Sequence, residues 1–153
     1  TLPLAGVTVV VTRPRAQAAR FAGLVREAGA TPILLPALEI EPVELDAAAQ
    51  ARLVPDDYDW TIYTSSNAVE CSLRTLPRPA RTRVAAIGRA TARALEEYGV
   101  VVQAVPAGAS ESEGLLALEA FAAPAGRRIL ILKGAGGRTL LRDELPGAYR
   151  RST

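Results

Sequence analysis

The sequence predicts a parallel α/β sheet with helices packed on both faces. Strand-length apolar runs rich in β-branched residues alternate strictly with amphipathic segments of helix length. The links between them are short, which favours right-handed β-α-β crossovers. Hydrophobic residues make up 49% of the 153 residues, enough to cover both sides of a sheet. The first five strands suffice for a flavodoxin-like unit of strand order 2-1-3-4-5.

The elements follow in order. "VTVVVT" (Val7 to Thr12) is the first strand, and Pro14 opens the helix "QAARFAGLVREAG", which Gly29 stops. "TPILLPALEI" (Thr31 to Ile40) is the second strand, and Asp46 opens a short helix in "LDAAAQARL". In "DWTIYTSSNAV" (Asp59 to Val69), Trp60, Ile62 and Tyr63 suit a covered strand. Ser65, Ser66 and Asn67 then supply helix caps before an apolar stripe. "RVAAIG" (Arg83 to Gly88) is a fourth strand, with the helix "ATARALEEYG" behind it. "VVVQAVP" (Val100 to Pro106) is a fifth strand, and Ser110 and Glu113 have capping-box spacing for a helix reaching Phe121. "RRILILKG" (Arg127 to Gly134) is a sixth strand and "RTLLRDEL" a last helix.

Residues 1–125 are therefore expected to form the flavodoxin-like unit, with 126–153 beginning a second β-α repeat that extends the sheet or pairs with a partner. On this reading Val9 and Val11 share a core with Ile62 and Ala85. The alternative organisation makes 1–40 a separate lobe and 45–145 a second domain. "TVVVTRPRAQAARFAGLV" and "RILILKGAGGRTLLRDEL" share one pattern, either an internal repeat or two ordinary β-α units.

Composition excludes much. The sequence has no histidine, so neither a Ser–His–Asp nor a Cys–His nucleophile can be assembled within it, nor the usual zinc site. The single cysteine, Cys71, excludes an internal disulfide and reads as a small core residue of a cytoplasmic protein. Net charge is +2 and aromatics are 5%, a poor match to a nucleic-acid binder. No apolar run approaches the roughly 18 residues of a membrane span.

Four strand-to-helix turns carry the chemistry: "TRPRAQ", "TSSNAV", "IGRATARA" and "KGAGGR". They offer Arg13, Arg15, Arg89, Lys133 and Arg138 as cations, and Thr12, Thr64, Ser65, Ser66 and Thr91 as hydroxyls. None contains an Asp or Glu. Cations, hydroxyls and helix N-termini without carboxylates suit an anionic small molecule. Taken singly, each has a plainer reading. Ser66 and Thr91 also serve as caps, Arg15, Arg89 and Arg93 as solvated helix charges, and "KGAGGR" as a flexible turn. "KGAGGR" is neither a P-loop nor a dinucleotide fingerprint. Glu39, Glu41 and Glu44 read as linker charge.

In this order the pieces "VVVTRPRAQAARFAGLVREAGATPILLPALEI", "DWTIYTSSNAV", "VAAIGRATARALEEYG" and "ILILKGAGGRTLLRDEL" resemble the uroporphyrinogen-III synthase family, over roughly its N-terminal half to three-fifths. The resemblance implies two flavodoxin-like domains facing each other across a cleft. It also implies cyclisation of hydroxymethylbilane to uroporphyrinogen III, without cofactor or metal, with loss of water and inversion of ring D. It makes Ser65 and Thr91 substrate-facing hydroxyls, and Arg13, Ser66, Lys133 and Arg138 further binding residues. Tyr149, in "AYRRST", is similar to the family tyrosine that helps expel the substrate's hydroxyl group. The implied partner is a polycarboxylate tetrapyrrole, with neither nucleic acid nor membrane, and with self-association through an edge strand as a further expectation. The competing reading is a truncated or engineered domain of the same lineage, non-catalytic and at most a weak anion binder.

Overall fold

The computed structural model describes residues 1–108, 111–122, 126–134 and 148–152. The chain divides into two compact units, Thr1–Glu41 and Pro42–Thr153.

In the first unit, β1 (Thr8–Val11) and β2 (Thr31–Leu34) pair in parallel and are joined by α1 (Arg15–Glu27). Ala18, Ala22 and Val25 form the buried stripe of α1. Gly29 ends the helix at φ +93, with Ala30 N–H donating to Val25 O at 3.1 Å. A left-handed residue here turns the chain straight into β2, which is why glycine occupies it. The strand stops well before Ile40, ahead of Pro36, a residue without a ladder donor.

The second unit holds α2 (Ala47–Arg52), a 3-10 turn (Pro55–Asp57), β3 (Trp60–Tyr63), α3 (Ser66–Thr75), β4 (Arg83–Ala86) and α4 (Arg89–Glu97). These are followed by α5 (Glu111–Leu116), a second 3-10 turn (Glu119–Phe121), β5 (Ile129–Lys133) and β6 (Ala148–Ser152). Asp46 caps α2, accepting Ala49 N–H at 2.6 Å. Four strands form one parallel sheet in the order β4-β3-β5-β6. Tyr63, Val84, Ala86, Leu130 and Leu132 line one face with Val69 of α3 and Leu95 of α4. Trp60, Ile62, Ala85, Ile129 and Ile131 line the other with Leu115 of α5 and Phe121.

The strand order 2-1-3-4-5 is corrected by this topology. β5 lies beside β3, in the place expected for β1, while β4 takes the other side of β3. Both ladders of β3 are thereby filled, and β1 pairs with β2 in a sheet of its own. The physical reason is in the residues: Ile129 to Leu132 are all buried, as a central parallel strand covered on both faces requires. The segment expected as a fifth strand makes a single bridge, Ala85 to Ala104. There Gln103 N–H donates to Val84 O at 2.9 Å and Ala86 N–H to Ala104 O at 3.0 Å, while the Gln103 side-chain oxygen accepts Val84 N–H at 2.6 Å. The capping box at Ser110 and the helix "RTLLRDEL" lie outside the described residues.

Two carboxylates tie loops to the amino edge of this sheet. Asp56 Oδ1 accepts the N–H groups of Ala80, Arg81 and Thr82 at 2.9, 2.8 and 3.1 Å. Those bonds, chiefly the one from Arg81, outweigh partial burial and lower its pKa from the ordinary 3.8. Asp59 Oδ2 accepts Arg128 N–H at 2.7 Å, fixing the entry of β5 beside β3.

Candidate functional site

In the second unit the chain runs from β3 to β4 on one side and then returns to β5 on the other. The strand order therefore reverses between β3 and β5. In open parallel sheets ligands bind outside the carboxyl ends of the strands at such a point. Here that point holds Thr64, Ser65 and Ser66 after β3, and Lys133 with Gly134 at the end of β5. Thr64 bridges the two strands: its N–H and its hydroxyl both donate to Leu132 O, at 3.1 and 3.2 Å.

Ser65 is the N-cap of α3, with extended backbone, and its Oγ accepts Ala68 N–H at 3.1 Å. That bond uses a lone pair, so the hydroxyl proton remains available to an anionic acceptor. Ser66 is the first helical residue and half-buried. One strand further out, Gly88 caps α4 without any side-chain hydrogen bond. The first-turn amides of α4 are thus left to an outside acceptor, at the positive end of the helix dipole. Thr91 sits in this first turn and is 5% exposed. The register Tyr63 to Ala86 and Tyr63 to Leu132 brings all three strand ends level.

The structure thus gathers Ser65, Ser66, Thr91 and Lys133 at one carboxyl edge. Arg13 belongs to the first unit, where its guanidinium lies 5.4 Å from the centre of the Phe21 ring. Arg138 lies outside the described residues. Tyr149 stands in β6 level with Leu130, which is itself level with Thr61. Ser152, three residues on, is level with Lys133. Tyr149 is therefore roughly 10 Å along the strand from that edge, measured on the backbone. Thr64, as the bridge at the switch point, carries more of the site than its place in a row of hydroxyls suggested.

Directly below the edge, Tyr63 is fully buried and its hydroxyl has no hydrogen bond among the described residues. Burial pushes its pKa from 10.0 up to about 12, and nearby Ser72 offsets this only partly. Ser72 Oγ already donates to Ala68 O at 2.6 Å, so its proton is not free for the phenol. The phenol is a core group, closed off from solvent, and stays protonated near neutral pH. Among the described residues no cluster of Cys, Asp or Glu is placed to hold a metal ion, and no helix is long and apolar enough to cross a membrane.

Hydroxyls, helix-end amides and an amine at the switch point of a parallel sheet mark an α/β domain whose carboxyl edge suits an anionic ligand. Residues 19–150 match the family described as uroporphyrinogen-III synthase HemD, and the chain belongs to that family. It is 34% identical over 155 aligned residues to a uroporphyrinogen-III synthase of Synechococcus elongatus, covering 94% of this chain and 56% of that protein. A Salmonella typhimurium uroporphyrinogen-III synthase is 31% identical over 145 residues, with 91% of this chain and 59% of that protein covered. The native wild-type crystal structure of uroporphyrinogen III synthase from Thermus thermophilus superposes with a TM-score of 0.55 at 28% identity. It matches 95% of this chain and 59% of its own. The chain thus spans a little under three-fifths of the length of these relatives.

Proposed function

We propose that this protein acts in porphyrin biosynthesis, closing hydroxymethylbilane to uroporphyrinogen III with loss of water and inversion of ring D. One observation carries the proposal: three level strand ends at a switch point present hydroxyls, uncapped amides and Lys133, with no carboxylate in the turns "TSSNAV" and "IGRATARA". Such an edge attracts a polycarboxylate and holds it through many weak, directed bonds.

In the proposed chemistry the substrate's hydroxymethyl C–O bond breaks as its oxygen takes up a proton and leaves as water. The carbon left behind is an electrophile conjugated to its pyrrole. It then bonds to the substituted α-carbon of the last ring, giving a spiro intermediate. The older bond from that carbon to its methylene bridge breaks, the ring turns over, and the freed bridge carbon closes on the ring's open α-carbon, which loses its proton. The protein's part is to hold both ends of the chain in register and shield the cation until closure. Ser65, Ser66, Thr91, Lys133, Arg13 and Arg138 are the proposed binding residues. Tyr149 is the proposed proton donor to the departing hydroxyl. No cofactor enters the proposal, and a cytoplasmic setting suits a chain with a single cysteine. Contact between copies through an edge strand belongs to the same set of proposals; the strand first expected at that edge, Arg127 to Gly134, is central in the sheet, and β6 stands at the edge instead.

The test is an isomer assay. Hydroxymethylbilane is incubated with the protein and the products are oxidised and resolved by chromatography. The expected result is the ring-inverted isomer above the level of a protein-free control, reduced in Tyr149→Phe. If only the uninverted isomer forms, at the control rate, the synthase reading is wrong. Tetrapyrrole binding without inversion assigns the chain to the non-catalytic anion-binding class.

A further inference from the structure

A groove of about 350 Å³ lies against the outer side of α4, beyond the switch point. Arg89, Arg93 and Glu96 line it from the helix, and Val105, Pro106 and Ala107 form the opposite wall. Neither guanidinium has an ion-pair or hydrogen-bond partner among the described residues. The opposite wall follows Ala104, which bridges to β4, so the groove continues the same carboxyl edge outward. Pro106 is braced from behind by α5: a Cβ added at Gly114 would come within 2.9 Å of the Pro106 Cβ. The wall is therefore already in place before any ligand arrives.

We propose that this groove takes one peripheral carboxylate arm of the same tetrapyrrole ligand, held between Arg89 and Arg93. This inference rests on the function proposed above. Arg89 and Arg93 are one helical turn apart, about 6 Å along the axis, a spacing across which two guanidinium groups can share one carboxylate. Glu96 stands three residues beyond Arg93, about 4.5 Å further from Arg89. The anion therefore seats at the Arg89 end, and Glu96 repels it from the other. The apolar wall of Val105 to Ala107 covers the hydrocarbon part of the arm. The groove lies about two strand spacings from the Ser65 turn, roughly 10 Å. A four-pyrrole ligand with two carboxylate arms on each ring can engage both places at once. Arg89 and Arg93 would then select for the number of carboxylates a ligand carries, while the strand-end turns bind its core.

The test compares four forms of the chain: wild type, Arg93→Gln, Glu96→Gln and Ser65→Ala. Each is titrated with uroporphyrin III, the air-stable octacarboxylate macrocycle, at fixed low ionic strength, following the ligand's absorbance. Arg93 and Glu96 are exposed, so their variants keep the fold, which far-UV circular dichroism verifies. Removing one of two guanidiniums from an exposed site should weaken binding about threefold to tenfold. Removing the repelling carboxylate in Glu96→Gln should tighten it about twofold to threefold. Ser65→Ala should weaken binding irrespective of the groove. Weakened binding in Ser65→Ala with no change in Arg93→Gln and Glu96→Gln overturns the groove assignment and leaves the proposed function standing. Unchanged binding in Ser65→Ala, or no binding by the wild type, overturns the site reading and the groove inference with it. A change of the same sign in Arg93→Gln and Glu96→Gln also overturns the inference, because opposite charges at one carboxylate must act oppositely.

Discussion

Replacing Tyr63 by phenylalanine should stabilise the second unit, against the usual direction of a core substitution. The hydroxyl is completely buried and makes no hydrogen bond among the described residues. An unmet buried hydroxyl costs about 1–3 kcal/mol, and phenylalanine keeps the ring packing. A gain of about 1–2 kcal/mol is expected, or roughly 2–8 °C in Tm for a chain of this size. The alkaline limb gives a second reading of the same group. Its folded pKa is about 12 against an ordinary 10.0, so between these values the folded state binds more protons than the unfolded. The stability is whole below pH 10 and is lost as pH rises through about 12. At pH 11 the Tyr63 contribution should have fallen by about 1.4 kcal/mol from its value at pH 8. Urea unfolding followed through Trp60, the only tryptophan and a residue of this unit's core, measures both effects. The wild-type midpoint should fall towards pH 11 by more than that of Tyr63→Phe. A variant less stable than wild type by about 1 kcal/mol or more, or two chains that decline in parallel, would refute the reasoning.

Three further outcomes follow from the geometry. Asp56→Ala leaves three backbone N–H groups without their acceptor and should destabilise the second unit by about 2 kcal/mol at neutral pH. Because the folded pKa lies below 3.8, this contribution is present above pH 3.8 and is lost as pH falls through the lowered value. The gap between wild-type and variant urea midpoints should therefore close in strong acid. Gly99, at φ +74 with open space around it, should cost about 1–2 kcal/mol on conversion to alanine. Gly29→Ala should cost more, since its Cβ would also meet that of Leu2 at 2.7 Å; thermal melts by circular dichroism rank the two. Ser65→Ala removes the cap on Ala68 and should cost about 1 kcal/mol in urea unfolding, whereas Ser66→Ala should leave that midpoint nearly unchanged.

Local structure was legible because local rules decide it. A cap within Ser65 to Asn67, Asp46 as a cap and the glycine stops at Gly29 and Gly99 each follow from local stereochemistry, while the caps read at Ser66 and Thr91 fall to Ser65 and Gly88. The class of fold followed from alternation, and the turns at Ser65 and Thr91 followed from their position behind apolar strands. Strand order did not follow, because periodicity is blind to which of several apolar strands sits beside which. "VTVVVT" and "RRILILKG" read alike, yet β5 took the place beside β3 and β1 did not. The signal that separates them is burial on both faces: all of Ile129 to Leu132 are buried, whereas Thr8 and Val10 of β1 are exposed. The switch point between β3 and β5, and with it the weight of Thr64, becomes visible only once that order is known. Arg89 and Arg93 read as solvated helix charges because nothing local announces that Val105 to Ala107 lies across from them.

The claim most open to direct measurement is that the ends of β3, β4 and β5 form one binding surface for a polycarboxylate tetrapyrrole. Backbone amide NMR spectra recorded during titration with uroporphyrin III test it residue by residue. Saturable shifts with one shared midpoint are expected at Thr64 to Asn67, Gly88 to Thr91, and Lys133 with Gly134. Shifts confined to the exposed faces of helices, with those three turns unmoved, would contradict it.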